Sequence, residues 1–128
     1  MVILLVEDNR FLQLATERVL TKARYKVISV CDGEQALRSA HRDLPDLILL
    51  DMMLPKMTGP QVLEALKRDP ATSHIPVIVL SSLSKKNETK LVLAGAAAYF
   101  EKSEKMWERN SAGLLQLIEN VMDTITHT

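Results

Sequence analysis

A single cysteine, Cys31, rules out any disulfide within the chain. Its setting, Val27-Ile28-Ser29-Val30-Cys31, reads as a buried strand, which makes the thiol an inert core group. Charge of one sign is also missing, since 16 basic and 16 acidic side chains leave a formal net charge of zero. Nucleic-acid surfaces need a basic excess or stripe, so no direct nucleic-acid partner is expected. A protein partner is compatible with the balance, because opposite charges can be segregated by face. Long apolar runs are absent as well. The opening Met1-Val2-Ile3-Leu4-Leu5-Val6 is cut off by Glu7-Asp8, too short for the apolar region of a signal peptide and far short of a bilayer span. No membrane association is expected, and the cytoplasm is the expected compartment.

What remains is ordinary globular material, 47% apolar and 25% charged. At 128 residues the chain suits one domain over 1–128, because two independent cores would each be marginal. Short apolar runs at Val2-Val6, Tyr25-Cys31, Asp46-Leu50, Ile75-Leu80 and Ala97-Glu101 have the length of strands. The first and fourth are apolar almost throughout, as strands covered on both faces must be. Amphipathic stretches lie between them. Phe11, Leu12, Ala15, Val19 and Leu20 recur at helical spacing within Arg10-Ala23. Asp32 caps a helix whose apolar side includes Ala36, Leu37 and Ala40, and Pro60 suits the first turn of a helix that ends at Asp69-Pro70. Ser84 can cap a fourth helix, Lys85-Ala94, stopped by Gly95. Leu114, Leu117, Ile118, Val121, Met122 and Ile125 form the apolar stripe of a fifth. Five such βα units imply a parallel sheet with helices on both faces.

In open sheets of this kind, sites form outside the carboxyl ends of the strands. There the sequence sets Glu7 and Asp8 after the first strand and Asp51 after the third. Ser81 and Ser82 follow the fourth strand, and Lys102 the fifth. Three carboxylates so close would push at least one toward protonation unless a cation intervened. An all-oxygen donor set without histidine or cysteine suits Mg²⁺, which keeps several waters and accepts a phosphate oxygen. Each piece alone has a plain structural alternative: Asp8 or Asn9 as a helix cap, Ser81 as a hydroxyl bonded to backbone, Lys102 as a solvated loop lysine. Their joint placement favours a site.

The chain resembles the receiver domain of two-component response regulators, of the chemotaxis-regulator type. The resemblance rests on Val6-Glu7-Asp8, on Asp51-Met52-Met53-Leu54-Pro55 with Gly59, on Pro76-Val77-Ile78-Val79-Leu80-Ser81-Ser82, and on Ala94-Gly95-Ala96-Ala97-Ala98-Tyr99-Phe100-Glu101-Lys102. It implies a flavodoxin-like α/β fold: a doubly wound five-stranded parallel sheet with five helices and strand order 2-1-3-4-5. It also implies that Asp51 accepts a phosphoryl group from a histidine kinase or phosphotransfer protein. Glu7, Asp8, Asp51 and the backbone carbonyl of Met53 would hold Mg²⁺, or Mn²⁺ in its place. Ser81 and Lys102 would bind the phosphoryl oxygens, and Tyr99 would rearrange as the Ser81 hydroxyl moves. Met53 and Leu83 match the positions that tune hydrolysis of the acyl phosphate. Both are apolar and cannot orient water, so slow autodephosphorylation is expected. The domain is then mainly a switch that catalyses its own phosphorylation, with a homodimer or an output protein meeting the face of the fourth helix, fifth strand and fifth helix.

Departures from the family pattern are local. Ser103 follows Lys102 where proline is usual, Thr58 replaces a common aspartate, Ser81 replaces threonine, and Ser103-Asn110 with Trp107 is a longer approach to the last helix. A flavodoxin-like electron carrier would need a hydroxyl- and glycine-rich phosphate loop where Glu7-Asp8-Asn9 stands, and an aspartyl-phosphate hydrolase would need D-x-D where Asp51-Met52-Met53 stands. The remaining alternative is a degenerate receiver that binds proteins without phosphorylation, which the full set of competent residues disfavours.

Overall fold

The computed structural model describes residues 1–81, 95–101 and 111–126. Its elements run β1 Val2–Val6, α1 Arg10–Lys22, β2 Lys26–Val30, α2 Gly33–Asp43, β3 Leu47–Asp51, α3 Gly59–Arg68, β4 Val77–Ser81, β5 Ala98–Glu101 and α4 Ser111–Thr126. All strand pairs are parallel, and the sheet order is β2-β1-β3-β4-β5. Parallel class and order match expectation; the helix count does not. Four helices stand among the described residues, not five, because the stretch Lys85-Ala94 assigned to a helix lies outside them.

Side-chain alternation along each strand divides the core into two layers. Leu4, Val6, Ile48, Leu50, Val77 and Val79 face α2 and α3, where Ala36, Ala40, Val62, Leu63 and Leu66 meet them. Ile3, Leu5, Leu47, Leu49, Ile78 and Leu80 face the opposite way, onto Leu20 of α1 and Leu114, Ile118 and Val121 of α4. Each fully buried Leu or Ile contributes roughly 1.5–3 kcal/mol of transfer free energy. The central strands β1, β3 and β4 therefore carry most of the apolar load and hold the site rigidly.

Local chemistry sets the helix starts. Asn9 Oδ1 accepts from Leu12 N–H at 3.1 Å, and Asp32 Oδ1 from Gln35 N–H at 2.8 Å. Thr58 forms a capping box with Gln61 at the head of α3, and Pro60 occupies its first turn. Thr58, which stands where the family pattern commonly has aspartate, is thus the cap that starts α3.

Two burial expectations are corrected. Cys31 is exposed, because β2 is an edge strand ending at Val30 and the thiol stands past that end. Phe11 is 75% exposed, and the buried positions of α1 are Gln13, Thr16 and Leu20. Gln13 takes an inward position on α1, with Nε2 donating to the Glu7 and Val30 carbonyls, while Phe11 faces water.

Candidate functional site

β1 and β3 are neighbours, with Val6 beside Leu50 in register, so the residues that follow them emerge side by side at the carboxyl edge of the sheet. Glu7 and Asp8 leave β1, and Asp51 ends β3. One carboxylate oxygen from each lies within 4.8 Å of the other two. Glu7 and Asp51 are only 2% and 6% exposed, while Asp8 faces solvent. Two sequestered carboxylates and one open to water form a half-walled anionic notch.

The backbone fixes this notch. Asn9 N–H donates to Glu7 Oε2 at 3.3 Å, and Met53 N–H reaches Asp51 Oδ1 at 3.4 Å. Glu7 N–H donates to the Val30 carbonyl at 3.1 Å, and Gln13 Nε2 donates to the Glu7 carbonyl at 3.1 Å. Behind Asp51, Gly59 N–H donates to the Met52 carbonyl at 3.0 Å, which folds the β3–α3 loop back against its strand. In that loop Lys56 adopts φ +67° and places Nζ 3.7 Å from Asp32 Oδ2 and 3.8 Å from Glu34 Oε2. The β3–α3 loop is thereby tethered to the start of α2.

The donor set fits a hard divalent cation. Three converging carboxylates supply oxygen only, and Mg²⁺ prefers such ligands while keeping open positions for water or phosphate. Ser81, the last residue of β4, is buried next to β3, where Leu80 pairs with Asp51. Tyr99 of β5 is buried in the layer facing α2 and α3. Met53 is 67% exposed beside Asp51. Lys102, Leu83 and the segment Ser103-Asn110 with Trp107 lie outside the described residues. Sequence reading missed Gln13 and Lys56. A glutamine inside an apolar helical stripe was the one available signal for the first, and nothing local marked the second.

Known proteins give the same picture. Residues 3–110 match the family model of the response regulator receiver domain. The response regulator PleD of Caulobacter vibrioides is 42% identical over 98 residues, covering 77% of this chain but only 22% of PleD. The polar-differentiation response regulator DivK of Brucella anthropi is 34% identical over 101 residues, covering 78% of this chain and 82% of DivK. Among solved structures, the receiver domain of the Pseudomonas aeruginosa sensor histidine kinase PA1611, which has a magnesium ion coordinated in its active-site cleft, superposes with a TM-score of 0.84 at 31% identity, covering 95% of this chain and 97% of that one. No helix among the described residues is long and apolar enough to cross a membrane. With its acidic notch suited to magnesium, the chain belongs to the response regulator receiver domain family, a phosphorylation-accepting signalling module.

Proposed function

We propose that Asp51 is the phosphoacceptor and that a histidine kinase or phosphotransfer protein is the donor. The observation that carries this reading is the convergence of Glu7, Asp8 and Asp51 oxygens within 4.8 Å at the carboxyl edge of the sheet. An Asp51 oxygen attacks phosphorus in line; the new O–P bond forms as the donor's N–P bond breaks, and the bonding pair returns to the imidazole nitrogen. Glu7, Asp8 and Asp51 would hold Mg²⁺, or Mn²⁺ in its place, with the Met53 carbonyl as a fourth donor. When bound, that cation offsets charge on the phosphoryl oxygens. Ser81 donates its hydroxyl to a phosphoryl oxygen, and Lys102 pairs with another.

Phosphorylation then shifts a population toward a conformer in which Ser81 is drawn to the phosphoryl group and Tyr99 repacks. The readout face includes β5 and α4, and meets an output protein or a second copy. Met53 and Leu83 offer the attacking water no hydrogen bond, so the acyl phosphate is long-lived. We assign the whole of 1–128 to the receiver, because Leu114, Ile118 and Val121 of α4 complete one core layer. The cytoplasm is the compartment we assign, on the single free thiol of Cys31.

Incubation with acetyl phosphate and Mg²⁺, followed by intact mass, tests the reading. One phosphoryl adduct is expected, lost in Asp51→Asn and on chelation of the metal. An adduct that persists in Asp51→Asn overturns the assignment of the acceptor.

A further inference from the structure

We propose that Gln13 is a positioning residue for the metal notch: its amide fixes the peptide plane that joins Glu7 to Asp8. This inference rests on the reading of Glu7, Asp8 and Asp51 as a Mg²⁺ site. Gln13 is 1% exposed, on a helix face that is otherwise turned toward the sheet. A glutamine side chain in that position needs partners for two N–H groups and one oxygen. It finds them all. Nε2 donates to the Glu7 carbonyl at 3.1 Å and to the Val30 carbonyl at 3.2 Å, with Cys31 Sγ at 3.8 Å as a weaker contact. Oε1 accepts from the Arg10 guanidinium at 2.9 Å, which settles which end of the amide is nitrogen.

The two carbonyls are what make this more than core filling. The Glu7 carbonyl belongs to the peptide unit between Glu7 and Asp8, the two acidic residues contributed by β1. Holding that carbonyl fixes the rotation of the plane, and with it the directions in which both side chains leave the backbone. The Val30 carbonyl also accepts Glu7 N–H at 3.1 Å, so Gln13 closes a bridge between the ends of β1 and β2. At the far end of the Glu7 side chain, Asn9 N–H holds Oε2. Glu7 is therefore located through its amide, its carbonyl and its carboxylate. Removing Gln13 releases the carbonyl of the peptide unit that Glu7 shares with Asp8. Groups that orient metal ligands in this way typically change affinity 10–100-fold when lost.

Calorimetric titration of the full chain with Mg²⁺ alone provides the test. Gln13→Leu keeps the bulk and removes both donors; a loss of about tenfold or more in Mg²⁺ affinity is expected. Gln13→Glu keeps the length and the Arg10 partner, offers no donor when ionised, and serves if the leucine variant fails to fold. Leu20→Ala loosens the same helix from its apolar side and should bind Mg²⁺ like the parent protein despite a lower unfolding midpoint. As a second readout, the Asp8 amide ¹⁵N resonance should move in both Gln13 variants and stay in place in Leu20→Ala. Parental Mg²⁺ affinity in the Gln13 variants, or an equal loss in Leu20→Ala at matched stability, overturns the inference alone. Absence of Mg²⁺ binding by the unaltered chain overturns the metal reading and the inference with it.

Discussion

Ser81 and Tyr99 project from adjacent parallel strands onto the same face of the sheet: Tyr99 pairs with Val79, and Ser81 lies two residues beyond Val79. Both are buried, and Tyr99 belongs to the layer that packs against α2 and α3. A hydroxyl at the strand end and an aromatic ring one step behind it are thus joined by the sheet itself. The expected consequence is that phosphorylation shifts the Tyr99 ring resonances in the parent protein and shifts them much less in Ser81→Ala. Adduct formation at Asp51 should survive in that variant, since Ser81 is not the nucleophile. Equal ring shifts in both proteins would show that the serine does not carry the signal to the tyrosine.

On the proposed reading, Met53 bears on a different property, the lifetime of the phosphoryl group. Its backbone N–H lies against Asp51 Oδ1, and the residue is 67% exposed. An apolar thioether offers an attacking water no strong hydrogen bond. Met53→Asn supplies an amide able to position the attacking water, and Leu83→Glu supplies a carboxylate from the other tuning position. Each should shorten the half-life of the phosphorylated protein several-fold, a change of about 1 kcal/mol in barrier, read as decay of the adduct by intact mass. Unchanged lifetimes in both variants would count against hydrolysis control by these two side chains.

The parts of this molecule that sequence revealed are those decided locally. Fully apolar runs marked β1 and β4 as central strands, and caps at Asp32 and Pro60 marked helix starts, because each depends on neighbours a few residues away. The acidic notch was legible because a parallel sheet necessarily gathers its strand ends. Strand order came from family resemblance, since periodicity says nothing about which strands are adjacent. Cys31 and Phe11 were misplaced for the same nonlocal reason. Whether Val27-Cys31 is buried depends on β2 lying at the sheet edge, and the inward place of Gln13 depends on the Glu7 and Val30 carbonyls, which lie outside its helix. The capping role of Thr58 could have been found, because Thr58 and Gln61 have capping-box spacing.

Asp69 supplies a pH-dependent contribution to stability remote from the notch. It ends α3, accepts Ala71 N–H at 2.9 Å and contacts His41 of α2. The Ala71 hydrogen bond, aided by His41, holds its carboxyl below the ordinary value of 3.8. The folded state therefore favours the ionised form. Its stabilising effect is complete above the unfolded value and disappears as pH falls through the lower folded value. Asp69→Asn should be less stable than the parent at about pH 5 and above, with the gap closing as the medium is acidified below the ordinary carboxylate range. Urea midpoints for the two proteins across that range measure it; a gap that stays constant down to the acid limit would exclude the carboxylate as its source.

Gly59 links the β3–α3 loop to the end of β3 more closely than any side chain would allow. A Cβ built there would lie 2.6 Å from the Asp51 carbonyl oxygen and 2.6 Å from the Met52 Cα, both of them backbone atoms. Neither can swing aside as a flexible side chain could, so even a methyl group must displace the strand end or the start of α3. Overpacking of this kind costs typically 1–3 kcal/mol, and here the displaced backbone is that of the proposed phosphoacceptor. Gly59→Ala should therefore lower the unfolding midpoint and also slow phosphorylation by acetyl phosphate at a temperature where the variant remains folded. Leu63→Ala, which opens a cavity in the same helix away from Asp51, separates the two effects. It should destabilise by about 2–5 kcal/mol yet retain the parental phosphorylation rate while folded. If the two variants lose rate in proportion to lost stability, Gly59 matters only for folding; a rate loss confined to Gly59→Ala assigns it the placement of Asp51.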